Sequence, residues 1–248
     1  MFGSIISFFN VVLYQPLFNL LVWLYNSLPG HDFGIAIIFL TLIIRFVLLP
    51  TSIKAAKSQK SLQKIQPQIV ELQKKYKEDK EKQAKEIFEL YKKEKINPFS
   101  GILLALLQLP ILIALYQVFW NGLKPETLGS LYSFIINPGQ INPSFLGIIN
   151  LSKPNMVLAV LAGATQYFQT KMLLPKKDLS KTKTEGQIDF SQAMQKQMTY
   201  IFPVMTVMIL VGLPSALGLY WTISGLFSII QQYYTFKDPA PAKATAGK

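Results

Sequence analysis

The run from residue 199 to residue 236 contains no charged side chain. It is about twice as long as the roughly 20 residues that one helical crossing of a bilayer needs, and Gly212 and Pro214 near its middle favour a turn. Three further apolar blocks precede it. Together the blocks predict an all-α polytopic membrane protein with five transmembrane helices, at residues 34–50, 98–120, 154–174, 198–213 and 214–236.

The N-terminal segment, residues 1–33, contains one more apolar block. From Ile5 to Leu28 it is long enough to cross a bilayer, but it also holds Asn10 and Asn19. The leucines beside Trp23 in its second half are typical of an amphipathic helix that lies in the membrane interface. Both arrangements are open, and no basic n-region or cleavage site indicates a removable signal peptide.

Basic residues outnumber acidic ones by 25 to 13, which gives a net charge of +12, and they are unevenly placed. Thirteen lie in residues 51–97, six in 171–196 and three from Lys237 onward, whereas the loop at 121–153 contains two. The positive-inside rule then assigns three segments to the cytoplasm, namely 51–97, the loop at 175–197 and the tail at 237–248. The charge therefore indicates topology rather than specific nucleic-acid binding, and the low complexity of the tail predicts disorder.

Residues 51–97 predict a cytoplasmic antiparallel helical hairpin around a polar turn at 77–81. One apolar seam recurs at spacings of three and four, at Leu62, Ile65, Ile69, Leu72 and Tyr76. The second arm carries Ala84, either Ile87 or Phe88, and Tyr91, while Pro67 predicts a kink or a helix start in the first arm. A charged connector is the plainest interpretation. The alternative is a surface that recruits a nascent chain, a ribosome or anionic lipid heads.

The sequence has no cysteine and a single histidine, His31. These counts exclude disulfides, Cys/His metal sites and hydrolytic triads with an internal histidine. We therefore expect no enzyme activity, no metal and no cofactor.

Arg45 lies about 16 Å along the first predicted span, and so near the middle of a bilayer core about 30 Å thick. An arginine at that depth costs about 2.5 to 3.5 kcal/mol unless it is paired or hydrated, and none of the five predicted spans contains Asp or Glu. Neutral residues with polar groups are available instead: Thr41, Gln108, Gln166, Gln169, Trp221 and Ser224. Such residues also commonly join helices, but Arg45 itself favours a hydrated, positively charged cavity.

Two functions would use such a cavity. A membrane protein insertase would draw acidic or polar N-terminal tails toward Arg45 and release them outward. An anion transporter or channel would bind a small solute there, but the sequence shows no inverted repeat, and the helical hairpin has no role in that account. We therefore expect no small-molecule substrate.

Several stretches resemble the YidC/Oxa/Alb family of membrane protein insertases. The motifs are the T-x-x-x-R of Thr41 and Arg45, IQP at 65–67, LYK at 90–92, QLPI-x-x-ALY at 108–116, and the closing LPSALGLYW and IIQQ. They run in the family's order over residues 15–235. The stretch QPLFNLLVWLY also resembles the interfacial helix that precedes the first core span in that family.

The resemblance implies a five-helix core in a bacterial plasma membrane, with a groove that is open to the cytoplasm and to lipid but closed outside. Carried onto this sequence, the groove arginine is Arg45, the aromatic groove residue is Trp221, and Gln166 or Gln169 adds a polar group. The hairpin is implied to receive nascent membrane proteins and to contact the ribosome or signal recognition particle system and the Sec translocon. The sequence departs from many members in lacking a large periplasmic domain and a lipoprotein cysteine.

Overall fold

The computed structural model describes residues 2–122, 124–173 and 197–237, and these residues are mostly helical, which confirms the all-α prediction at this level. The α-helices are α1 (Phe2–Phe9), α2 (Gln15–Ser27), α3 (Phe33–Lys75), α4 (Lys80–Lys93), α5 (Ser100–Asn121), α6 (Met156–Leu173), α7 (Phe202–Leu210) and α8 (Ser215–Lys237). Two short strands, β1 (Ser144–Phe145) and β2 (Ile149–Asn150), pair antiparallel in the loop after α5. Apart from Gln197 and Lys237, the predicted loop at 175–197 and the predicted tail at 237–248 lie outside the described residues.

Helix α3 is a single element of 43 residues that combines the first predicted span with the first arm of the predicted hairpin. Asp32 caps its start, because the carboxylate Oδ1 accepts a hydrogen bond from the Ile35 N–H at 2.9 Å. The helix continues through Pro50 and Pro67. Pro67 therefore lies inside the helix and does not start it. This is possible because a proline removes only one intrahelical hydrogen bond and the others can still form. Arg45 and the polar arm therefore belong to one continuous helix.

Residues 51–93, which comprise the end of α3 and all of α4, form a helical pair. The turn between the two helices covers residues 76–79, close to the predicted turn at 77–81. Asp79 caps α4 by accepting a hydrogen bond from the Lys82 N–H at 2.9 Å. Across the pair, Gln83 Nε2 donates to the Gln73 carbonyl at 2.8 Å.

Helices α6 and α8 pack closely and run in the same direction. Gly218 faces Leu158, and Gly225 faces Thr165, so the contacts advance by two turns along both helices. A side chain at Gly225 would overlap Thr165. The absence of a Cβ at these two positions therefore lets the helix backbones approach each other.

Helices α3 and α8 also run in the same direction. The ring centroids of Phe46 and Phe227 lie 5.3 Å apart in an edge-to-face arrangement. Further along both helices, Lys60 Nζ donates to the Phe236 carbonyl at 3.3 Å and lies 4.4 Å from the centre of the Phe236 ring. These contacts hold the end of α8 against the second half of α3, which forms the first arm of the predicted helical hairpin.

Helices α5 and α7 run in the opposite direction to their neighbours. Phe33, at the start of α3, packs against Phe119, near the end of α5, with ring centroids 6.4 Å apart. Tyr167, near the end of α6, packs against Tyr200, just before α7, at 6.0 Å. Direction therefore alternates along the chain from α3 through α5, α6 and α7 to α8.

The loop after α5 is bound to α2. Asn19 is buried, and its amide donates to the Gln15 carbonyl at 2.8 Å and accepts from the Tyr132 N–H at 2.6 Å. The Tyr25 hydroxyl accepts from the Asn142 N–H at 3.1 Å. The loop and α2 therefore form one layer over the end of the bundle where α3 begins.

By length and apolar composition, two helical segments of the described residues could cross a membrane, Ile6–Ser27 and Phe33–Lys75. Shorter apolar segments are Leu106–Asn121 and Gln197–Leu210. Helices α6 and α8 contain several polar residues, which lower their mean hydropathy. The count of five spans stays a prediction, and residues 5–28 are long enough for either of the two arrangements expected for them.

Candidate functional site

Arg45 lies about three turns into α3 and is almost entirely buried, with 9% of its surface exposed. Its Nε atom is buried without a hydrogen-bond partner, and it pairs with no carboxylate of the residues that the structure describes. A buried cation without an anion is unfavourable, because neither protein groups nor lipid tails replace its lost hydration. The position therefore favours water or an anionic ligand group next to the guanidinium.

Two other helices contribute to the surroundings of Arg45. Tyr220 of α8 is buried close to Arg45. The Tyr220 hydroxyl also accepts a long hydrogen bond, 3.5 Å, from Nε2 of Gln108 on α5. Helices α3, α5 and α8 thus meet near Arg45, and the role of Gln108 in a groove there stays a prediction.

Helix α8 carries Trp221, Ser224 and Ser228 at spacings of three and four residues, and so on one face. Trp221 is half-buried against the core, while Ser224 is 2% exposed and its hydroxyl has no partner. The Ser228 hydroxyl donates to the Ser224 carbonyl at 2.9 Å. One turn further on, Gln232 is 5% exposed and its Oε1 atom also lacks a partner. Unpartnered polar atoms in the interior of the described part of the chain therefore occur on α3 and α8 only, at Arg45, Ser224 and Gln232.

The neighbouring Gln231 links the two helices that carry these atoms. Its Oε1 accepts a hydrogen bond from the Ser52 hydroxyl at 2.8 Å. Ser52 lies two turns beyond Arg45 on α3. This bond ties α3 to α8 at the start of the helical pair.

Three predicted site residues are placed in other surroundings. Thr41 is fully buried, one turn before Arg45, and its hydroxyl donates to the Ile37 carbonyl at 2.6 Å. Gln166 Oε1 accepts from the Thr206 hydroxyl at 2.7 Å, which joins α6 to α7. Gln169 is half-buried on α6. Their role in a cavity around Arg45 stays a prediction.

The seam of the helical pair is partly covered. Ile65 and Ile69 are buried, and five further predicted members are half-buried: Leu62, Leu72, Tyr76, Ile87 and Tyr91. Ala84, also predicted for the seam, is exposed. Of the two alternatives in α4, Ile87 is the residue on the seam, because Phe88 is 53% exposed, with Lys92 Nζ 4.7 Å from its ring centre. Burial raises the pKa of the Tyr91 hydroxyl above its ordinary value.

The sequence did not single out Tyr220, Gln232 or Thr206. Tyr220 lies four residues before Ser224, so helical spacing alone could have placed it on the same face. Gln232 belongs to the IIQQ motif, which resembles the family but does not by itself indicate a site residue. Nothing in the sequence indicated that Thr206 pairs with Gln166, since the two lie on different helices.

One open depression of about 440 Å³ occurs elsewhere, along α1, the start of α2 and the loop. It is lined by Ile6, Asn10, Tyr14 and Ser130 among others, and Arg45 is not among its lining residues. No three His, Asp or Glu side chains within the described ranges cluster as metal ligands would.

Comparison with known proteins finds one family and many relatives. The family model described as "60Kd inner membrane protein" matches residues 23–242. A "Membrane protein insertase YidC" of Fusobacterium nucleatum is 35% identical over 230 residues, which cover 92% of this chain and 98% of the relative. Proteins of the same name from Clostridium tetani and Clostridium perfringens are 37% and 32% identical, and cover 84% and 93% of this chain and 84% and 94% of their own lengths.

Proposed function

The chain belongs to the 60Kd inner membrane protein family of YidC insertases and is a bacterial membrane protein insertase, and we propose that it works through the polar site around Arg45. The family predicted from the sequence motifs is thereby confirmed. The observation that carries the proposal is the unpaired, buried guanidinium of Arg45. An acidic group of a substrate would supply the anion that the described residues do not provide.

In this mechanism, the acidic or polar tail of a substrate enters among the residues that face Arg45. Gln108 and Tyr220 supply polar groups from two other helices, and Ser224 offers a buried hydroxyl without a partner. Trp221 lies on the same helix, half-buried. While the tail is held there, the hydrophobic segment of the substrate passes into lipid between the helices. The process requires no covalent step.

Thr41, Gln166 and Gln169 join this groove when the bundle opens to a substrate. Thr41 lies one turn from Arg45, and the Thr206–Gln166 hydrogen bond is a side-chain contact that rotation of either group can exchange for water. Opening at α6 and α7 would therefore add polar groups without breaking a helix.

The topology that fits this mechanism has five crossings, formed by α3, α5, α6, α7 and α8. The alternating directions of these helices support it, since each crossing must return the chain to the other side. The lysines of residues 51–97 then put the helical pair and the C-terminus in the cytoplasm. Helix α2 lies in the opposite interface, as its hydrogen bonds to the loop after α5 support.

The helical pair receives substrates or their delivery machinery in this scheme. Its seam is incompletely covered, and lysine ammonium groups lie near its aromatic rings. For example, the Nζ atoms of Lys75 and Lys82 each lie 5.3 Å from the centre of the Tyr76 ring. Nascent membrane proteins are the substrates, and the ribosome, the signal recognition particle system and the Sec translocon are the partners that we propose. The named relatives give no support to the alternative of anion transport.

Site-specific photocrosslinking tests the proposed groove. A photoreactive amino acid would replace Gln108 or Trp221, and a matched control would replace Val160 of α6, which is half exposed away from the site. The probe is a stalled nascent chain with one hydrophobic segment and an acidic N-terminal tail, in native membranes. We expect crosslinks to the tail from the two site positions that disappear on release of the chain. Equal crosslinking from all three positions, or none from the site, would overturn the proposal.

A further inference from the structure

We propose that Asp32 is a positioning residue: it latches the β1–β2 hairpin onto the start of α3, and the hairpin in turn fixes α3 against α8 and closes that end of the site. This inference rests on the proposed function, since it concerns the geometry of the same two helices. It gives the loop after α5 a role in this geometry.

Both carboxylate oxygens of Asp32 are in use. Oδ1 accepts the Ile35 N–H at 2.9 Å and caps α3. Oδ2 accepts the Leu146 N–H at 2.5 Å and so reaches across to the turn of the hairpin. Hydrogen bonds to a charged acceptor are about twice as strong as neutral ones. Each of the two N–H groups bonds a different oxygen, so this geometry uses both oxygens of the carboxylate.

The turn that Asp32 holds has an unusual backbone. Leu146 has a φ of 51° and the following Gly147 a φ of 69°, and the left-handed region is unfavourable for leucine. Such a conformation persists when surrounding contacts fix it. The hydrogen bond from Leu146 to Asp32 is one such contact, and it fixes the turn at the start of α3.

A second contact is next to the first. Gly34 is buried against the Phe145 ring, and a Cβ at position 34 would overlap that ring. Strand β1 therefore lies directly on the backbone of α3. Glycine at position 34 permits this approach, and any other residue would push the hairpin away.

The end of β2 and the residues that follow it hold α8. The Ser215 N–H donates to the Lys153 carbonyl at 3.0 Å, and the Ala216 N–H donates to the Leu151 carbonyl at 3.1 Å. The Ser215 hydroxyl contacts the Asn150 carbonyl at 3.3 Å. These are the first residues of α8, and Tyr220 follows little more than one turn later. One hairpin therefore ties together the starts of the two helices that carry Arg45 and Tyr220.

The absence of cysteine makes the latch directly measurable. Single cysteines would replace Ala36 of α3 and Ala162 of α6, both of which are fully buried, and Ser133 of the loop, which is exposed. Each is combined with Asp32 or with Asp32→Ser, in full-length protein in membranes. Serine keeps one oxygen to cap α3 but cannot hold Leu146 as well. The readout is the rate of labelling by a membrane-impermeant thiol reagent added on the side of the loop.

We expect Asp32→Ser to raise the labelling rate of Ala36→Cys by about tenfold or more, the factor that loss of one charge-assisted hydrogen bond allows. Ala162→Cys should stay protected, because the rest of the bundle is intact, and Ser133→Cys should label equally with and without the change. Unchanged protection of Ala36→Cys would overturn the latch. Equal exposure of both alanine positions would show general unfolding and would also count against a local role.

Insertion measured on the same variants separates this inference from the proposed function. We expect Asp32→Ser to slow insertion of an acidic-tailed substrate severalfold, and Arg45→Gln to slow it without exposing Ala36→Cys. If Arg45→Gln has no effect on insertion while Asp32→Ser still exposes Ala36→Cys, the proposed function fails and the latch stands. If Arg45→Gln slows insertion and Asp32→Ser changes neither readout, the latch alone fails.

Discussion

Arg45, Ser224 and Gln232 keep polar atoms in the interior without partners, whereas the polar side chains between α6 and α7 satisfy each other. The Thr206 hydroxyl and Gln166 Oε1 form a 2.7 Å hydrogen bond. Since folding selects against buried unpaired polar groups, a set of them on two facing helices indicates a site that is completed by water or substrate.

Truncation of Ser224 and truncation of Thr206 should therefore lower the free energy of unfolding by different amounts. Ser224→Ala removes a hydroxyl that has no partner, so we expect the free energy of unfolding to change by less than about 0.5 kcal/mol. Thr206→Val keeps the shape but leaves Gln166 Oε1 unpaired, at a cost of about 1 to 3 kcal/mol. Thermal unfolding in detergent compares the two. A larger loss in Ser224→Ala would mean that its hydroxyl is structurally bonded.

The sequence reveals a residue of the site only when its side chain is unusual inside a membrane. Arg45 stands out because no acidic residue is available in the predicted spans. Tyr220 does not, because a tyrosine in an apolar helix is ordinary, and only the packing of α8 against α3 and α5 brings it to Arg45 and Gln108. Contacts between helices distant in sequence carry no local signal.

The contact between α6 and α8 depends on small residues. A Cβ at Gly225 would overlap Thr165, whereas a Cβ at Gly129 in the loop would meet nothing within 4 Å. We expect Gly225→Ala to separate the two helices and to destabilise the fold by about 1 to 3 kcal/mol. Gly129→Ala serves as the matched control and should be neutral. Melting temperatures of the two variants test this, and equal values would contradict close packing at Gly225.

Element boundaries were harder to predict than element types. The apolar pattern located the helices, but it divided α3 at Pro50, where the hydropathy changes and the backbone does not. Pro67 likewise suggests a helix boundary in the sequence, but the helix continues through it. Proline lowers helix stability locally, while the contacts of Ile65 and Ile69 with the rest of the pair favour continuation. Burial, which sequence reveals only indirectly, decides such cases.

Across the whole molecule, alternating helix directions and the uneven placement of lysine predict opposite locations for the two polar regions. Ser133→Cys in the loop after α5 should react with an impermeant thiol reagent in intact cells. Lys77→Cys at the tip of the helical pair should react only after permeabilisation, because we place it in the cytoplasm. Both side chains are exposed in the structure, so labelling depends on the side of the membrane on which each lies. Labelling of both in intact cells would contradict the topology.

The role of Arg45 is tested by measuring how the insertion rate depends on the charge at position 45. Wild type, Arg45→Lys and Arg45→Glu would be compared in proteoliposomes, with two single-span substrates whose tails carry either aspartates or asparagines at the same positions. If a buried cation attracts the acidic tail, Arg45→Glu should slow insertion of the aspartate substrate about tenfold or more. The asparagine substrate should be affected much less. Insertion by Arg45→Lys should remain close to that of the wild type. Equal rates for both substrates in all three proteins would contradict the central role of the Arg45 charge.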